Sequence, residues 1–288
     1  MTAVFKKEFF SYFRTMTGYA LIAFLIVFTG IYFMVCNMYR GYPYFSYTLS
    51  GVTTILMVWI PVLTMRSFAE ERKSRTDQLL FTAPVTIGRI VLGKFAAMAA
   101  VFLIPILFYC LFPLIIKASG TAYLLTDYAA IFQFFLMGCV FIAIGAFFSS
   151  VTESPVIAAV STFAVIFLIY VWDNLIGYLP QSAGGNFFVL VIVWTAVSGW
   201  LFYITRNRHL AAALELLTVA ASSAFFLLKS DALEGLFPDL LSRFNIMTAF
   251  NNAAYNSIFD VSGTMLLLTV IGVFLFLTVQ SIEKRRWS

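Results

Sequence analysis

Charge is scarce in this 288-residue sequence, with 18 Lys and Arg against 13 Asp and Glu. Yet RSFAEERKSRTD, residues 66–77, gathers Arg66, Glu70, Glu71, Arg72, Lys73, Arg75 and Asp77. Acids and cations mixed at this density offer ion pairing and docking rather than bond making. The other chemistry-bearing residues are isolated. His209 is the single histidine, which excludes a multi-histidine metal or haem site within the chain. Cys36, Cys110 and Cys139 stand in apolar runs without a CxxC pair and read as small hydrophobes. Gly88 to Phe95, GRIVLGKF, matches G-x-x-x-x-G-K but ends in Phe where a phosphate loop needs a hydroxyl for magnesium. Its Ile-Val-Leu centre does not suit an anion cradle, so Lys94 is expected to snorkel at the start of a membrane span. No span joins a nucleophile to a base. Glu215, in HLAAALELLTVA, is a carboxylate within an apolar run. A charge at a span's centre costs about 2.5–3.5 kcal/mol, so Glu215 calls for pairing with nearby Arg206, Arg208 or His209, or for a role in the substrate path.

These residues must be positioned by helices in lipid. The sequence is 62% hydrophobic and 11% charged, with 33 Phe, which excludes an ordinary soluble core. Apolar runs of roughly 20 residues predict eight transmembrane helices, near 17–37, 49–68, 95–116, 128–149, 156–175, 187–204, 210–228 and 262–281. Only residues 206–209 separate the pair within 187–228, which could instead form one broken hairpin. With the amino terminus inside, Lys6, Lys7, Arg14, the 66–94 cations, Arg206, Arg208 and residues 284–286 share the cytoplasmic side. Arg40, Lys117, Lys229 and Arg243 fall outside. This positive-inside bias predicts that both termini are cytoplasmic. Gly138, Ala143, Gly145 and Ser149 give the fourth span a narrow side for helix packing or for lining a pathway. Asp173 and Asn174 mark a span boundary, and the acid-bearing stretch 229–260 predicts a short external helix through Leu233, Leu236, Phe237, Leu240 and Leu241.

The charged stretch therefore leaves the second span and returns at the third. Its composition predicts a helix over 67–80, with Glu71 and Arg75 spaced to pair, followed by the apolar Leu79 and Leu80. Pro84 breaks that helix, and a second short one is expected from Thr86, with Ile87, Ile90 and Val91 on one side. Upstream, VFKKEFFSYFRTM places Phe5, Phe9, Tyr12, Phe13 and Met16 at helical spacing beside Lys6, Lys7 and Arg14. This predicts an interfacial helix ahead of the first span.

Residues 66–95 resemble the cytoplasmic coupling segment of ABC-2 type transporter permeases, especially the branch named after the gliding-motility permease. FFSSVTESPVIAA at 147–159 and FLFLTVQSIEKRRW at 274–287 resemble other parts of that branch. The resemblance implies an all-α, type V exporter-like permease in one transmembrane domain over 1–288, without a nucleotide-binding domain. It implies a multi-pass subunit of a bacterial inner (plasma) membrane, paired with a second identical or related permease and with cytoplasmic ATP-binding cassette subunits. An accessory extracytoplasmic subunit also fits this scheme; nucleic acid does not. ATP and magnesium would belong to the partner ATPase, with no cofactor in this chain. Contact with that ATPase would fall to Glu70, Glu71, Arg72, Lys73, Arg75, Asp77, Leu79 and Leu80. Relative to the family's usual six-span half, two spans between 187 and 228 are extra. The rival reading is an ion-coupled secondary transporter, which should show internal repeats and midplane ionisable groups, with Glu215 as the main candidate.

Overall fold

The computed structural model describes residues 2–76, 86–206, 208–228, 233–256 and 258–287, and the regular elements among them are all helical. In order they are α1 (Thr2–Arg14), α2 (Met16–Phe33, prolonged by the π-helical Met34–Tyr39), α3 (Ser46–Thr64), α4 (Ala69–Lys73) and α5 (Ile87–Tyr109). There follow α6 (Phe112–Ser119), α7 (Leu124–Val151), α8 (Pro155–Gly177), α9 (Ala183–Thr205), α10 (Arg208–Leu228), α11 (Leu236–Ser242), α12 (Thr248–Tyr255) and α13 (Val261–Trp287). Among the described residues seven helical stretches, containing α2, α3, α5, α7, α8, α9 and α13, are long and apolar enough to cross a membrane. The eighth expected span is helical as α10, with a shorter apolar stretch, Ala212–Ser223, among the described residues.

By contacts the chain divides into two compact units, one of Met1–Tyr170 with Ile246–Ser288 and the other of Val171–Asn245. In the first, α7 is central: 78% of its apolar window is buried, against 17% for that of α2. It packs against α3, α5, α12 and α13. Lipid removes the hydrophobic drive between helices, so close fit and interhelical hydrogen bonds must hold them. Gly138 and Gly145 supply the fit: a side chain at either would overlap Phe102 of α5 or Thr64 of α3. The narrow side of α7 is thus an internal packing surface, with Ala143 and Ser149 also fully buried. Trp59 donates its indole N–H to the Leu21 carbonyl at 2.8 Å, and the Thr29 hydroxyl donates to the Tyr109 hydroxyl at 2.7 Å, tying α2 to α3 and α5.

At one end of this unit, the start of α3 is held by Asp127 of α7, whose Oδ1 accepts from the Phe45 and Ser46 amides at 2.8 and 3.3 Å. The Ser46 hydroxyl donates to the Ala254 carbonyl of α12 at 2.8 Å. At the opposite end, α1, the segment after α3, the start of α5 and the ends of α7 and α13 are joined by ion pairs and hydrogen bonds. The amino-terminal helix and the end of the last helix therefore share that end, and α8 leaves from it.

In the second unit α9 packs on α10 across a turn where Arg206 takes a left-handed conformation. Asp173 accepts from the Asn245 side chain, and the Trp172 indole donates to the Leu241 carbonyl at 3.1 Å. The external helix expected within 229–260 appears here as α11, while α12 belongs to the first unit.

Candidate functional site

The charged segment begins where α3 ends. Ser149, fully buried near the end of α7, accepts through Oγ from the amides of Phe68 and Ala69 at 3.0 and 3.1 Å, and donates to the Met65 carbonyl at 3.2 Å. These are orphan donors at the start of α4, where no local cap is formed. Capping by a residue of another helix fixes the rotation of α4 about its axis. Arg72 consequently points to the end of α7, donating to the Val151 and Ser150 carbonyls at 2.7 and 3.3 Å and pairing with Glu153 at 2.9 Å. Arg285 of α13 donates to the same Val151 carbonyl at 2.8 Å.

Glu71 points the other way, into a closed ring of four charges. Lys94 Nζ lies 2.9 Å from Glu71 and 3.3 Å from Glu8, and Lys7 lies 3.4 Å from Glu71 and 3.6 Å from Glu8. Two cations balance two carboxylates, each with neighbours of opposite sign. Lys94 is 1% exposed, donates to the Ser67 carbonyl at 2.6 Å and stands 4.9 Å from the centre of the Phe68 ring. Burial opposes the charged form of Lys7, but the Glu71 and Glu8 carboxylates outweigh it and hold the ammonium above the ordinary lysine value. Tyr12 adds a tie from α1, its hydroxyl donating to the Leu63 carbonyl at 3.0 Å. A cleft of about 650 Å³ opens beside the ring between α1 and residues 66–76, with Arg66 and Glu70 also on its walls.

Of the helix expected over 67–80, the described residues show α4 from Ala69 to Lys73, with a turn over 74–76. The Ser74 and Thr76 hydroxyls donate to the Glu70 and Glu71 carbonyls, competing with continued helix, and Arg75 takes a left-handed conformation. The expected Glu71–Arg75 pairing is replaced by the ring. Glu70, Lys73 and Arg75 are exposed, whereas Glu71 and Arg72 face inward. Asp77, Leu79 and Leu80 lie outside the described residues. The second short helix expected from Thr86 is instead the first turns of α5, with Ile87, Ile90 and Val91 buried. Lys94 does not snorkel, as its sequence position suggested; it is enclosed. Glu215 is half-buried on α10, and among the described residues its carboxylate has no ion-pair partner. Among the described side chains, which do not include that of Arg208, the expected pairing with Arg206 or His209 is not formed.

Sequence reasoning passed over Glu8, Lys94, Ser149 and Glu153 as members of this site. A signal existed for Lys94: it sits on the helical stripe of Ile87, Ile90, Val91, Ala97 and Met98, all buried. A lysine on such a stripe needs partners of opposite charge.

Residues 2–281 match the family described as ABC-2 family transporter protein. The chain belongs to the ABC-2 transporter family. No curated protein matches the sequence. An ABC-2 permease is a multi-pass membrane component of transport that associates with ATP-binding cassette subunits. In this ABC-2 chain the clasped segment gathers the ends of α3, α5, α7 and α13 with α1, leaving a charged outer edge.

Proposed function

We propose that this chain is the exporter-type permease half of an ATP-driven transporter, and that residues 66–76 receive the motion of a separate cytoplasmic ATPase. One observation carries the reading: the segment is locked on its inner side to the ends of the spans by Ser149, Arg72 and Glu71, while Glu70, Lys73 and Arg75 remain outward for docking. A rigid inner attachment lets force applied at the outer edge reach α3 and α7 together. ATP and magnesium would be held by the ATPase, and a second permease, identical or related, would complete the pathway. The likeness of residues 66–95 to the gliding-motility branch agrees with this role.

Orientation follows the positive-inside rule: residues 66–76 and both ends of the chain face the cytoplasm of a bacterial inner membrane. In a background with Cys36, Cys110 and Cys139 replaced, a cysteine at position 73 should resist an impermeant external reagent while one at 243 reacts. External labelling at 73 would reverse the map.

Docking is tested by reversing the outward charges alone, with Glu70→Lys, Lys73→Glu and Arg75→Glu combined. Like charges set opposite one another at an interface cost several kcal/mol, so affinity for the co-encoded ATPase should fall at least about tenfold with the fold intact. Undiminished copurification and ATP-dependent transport would remove the segment from the docking surface. An ion-coupled carrier, the rival reading, would transport in vesicles lacking the ATPase.

A further inference from the structure

We propose that Lys94 is a positioning residue that joins α1 to the 66–76 segment, so that α1 is driven by the ATPase cycle rather than serving only to anchor the chain at the membrane surface. The inference deepens the coupling role above and rests on it.

The ring spans three elements that are distant in sequence: Glu8 on α1, Glu71 on α4, and Lys94 on α5. Its buried cation also holds the Ser67 carbonyl, at the root of the segment. Pulling Glu71 away from Lys94 would leave an enclosed cation with less compensation, so this pair resists separation more than an exposed pair would. The low-resistance response to a push on the segment is movement of the whole ring, and Glu8 carries α1 with it. At its far end α1 meets α2 in close contact, since Gly18 leaves no room for a side chain against the Tyr12 backbone. Rotation of α1 is thereby passed to the first span. A helix serving only as an anchor would need its apolar face and surface cations, but not a carboxylate directed at an enclosed lysine.

The test uses the full complex with its co-encoded ATPase in lipid nanodiscs, in a background lacking native cysteines. Spin labels at Thr2→Cys and Lys117→Cys report on α1, and labels at Thr76→Cys and Lys117→Cys report on the segment. Distances are compared without nucleotide and after trapping with ATP and vanadate. In the parent both pairs should shift. In Lys94→Met/Glu71→Gln, which keeps the ring charge-balanced, ATPase binding and the segment shift should persist while the α1 shift falls at least threefold. Lys94→Arg, retaining the charge, should keep more of the α1 shift than the double variant. An unchanged α1 shift in the double variant, or an α1 that stays still in the parent while the segment moves, overturns the joint alone. A segment that ignores nucleotide, or an ATPase that does not bind the parent, overturns the coupling role and the joint with it. Loss of folding in the double variant, seen as aggregation on gel filtration, makes Lys94 a stability element and also overturns the joint.

Discussion

Replacing Lys94 with methionine is expected to destabilise the protein by about 3–5 kcal/mol, the range for breaking a buried ion pair by removing one partner. The loss is greater than that of an attraction, because Glu8 and Glu71 would be left converging on an apolar side chain. Their remaining cation would be Lys7, whose side chain is 67% exposed. The Ser67 carbonyl would also lose its 2.6 Å donor. Neutralising one acid as well, in Lys94→Met/Glu71→Gln, leaves Lys7 against Glu8 and should recover at least about half of the loss. Unfolding of purified protein in a fixed detergent, followed by tryptophan fluorescence, measures both. A single variant within about 1 kcal/mol of the parent would show that the ring contributes little to holding α1, α4 and α5 together.

At the other end of the first unit, Asp127→Ala should cost about 2–6 kcal/mol, because it strands two buried backbone N–H groups at roughly 1–3 kcal/mol each. Asp127 is fully buried, and its Oδ1 serves the Phe45 and Ser46 amides at the start of α3. It also lies in the first turn of its own helix, so the carboxylate faces the positive ends of two helices. Asp127→Asn retains an acceptor and should lose about half as much or less. Since this anchor lies at the end opposite the charged segment, binding of the ATPase to the Asp127→Ala protein that remains folded should be unchanged. Equal losses in the alanine and asparagine variants would show that the accepted hydrogen bonds are not the source of stability.

The spans were legible because lipid imposes a length and a composition on each helix separately, and a run such as Met16–Tyr39 satisfies both without reference to its neighbours. The helix α1 was legible for a local reason as well, because its aromatic residues recur at helical spacing. The end of α4 was not: helix and turn compete closely over Ser74, Arg75 and Thr76, and hydroxyl contacts to the Glu70 and Glu71 carbonyls tip the balance. Nor was Lys94, whose place near the start of a span fits equally well with a lysine reaching for headgroups. Asp127 was passed over in the sequence, because its partners lie some eighty positions away.

The sequence by itself determined that this is a helical membrane protein and that its charge concentrates in residues 66–77. These follow from transfer free energies and spacing, which are properties of each segment taken alone. Tertiary structure decided which of those charges face outward. The rotation of α4 is set by the Ser149 hydroxyl, about eighty residues away, which takes the Phe68 and Ala69 amides and so sends Glu71 and Arg72 inward. Adjacent residues on a helix point about 100° apart, so the same string of charges could have presented Glu71 outward under another rotation. Only a contact from outside the segment could choose.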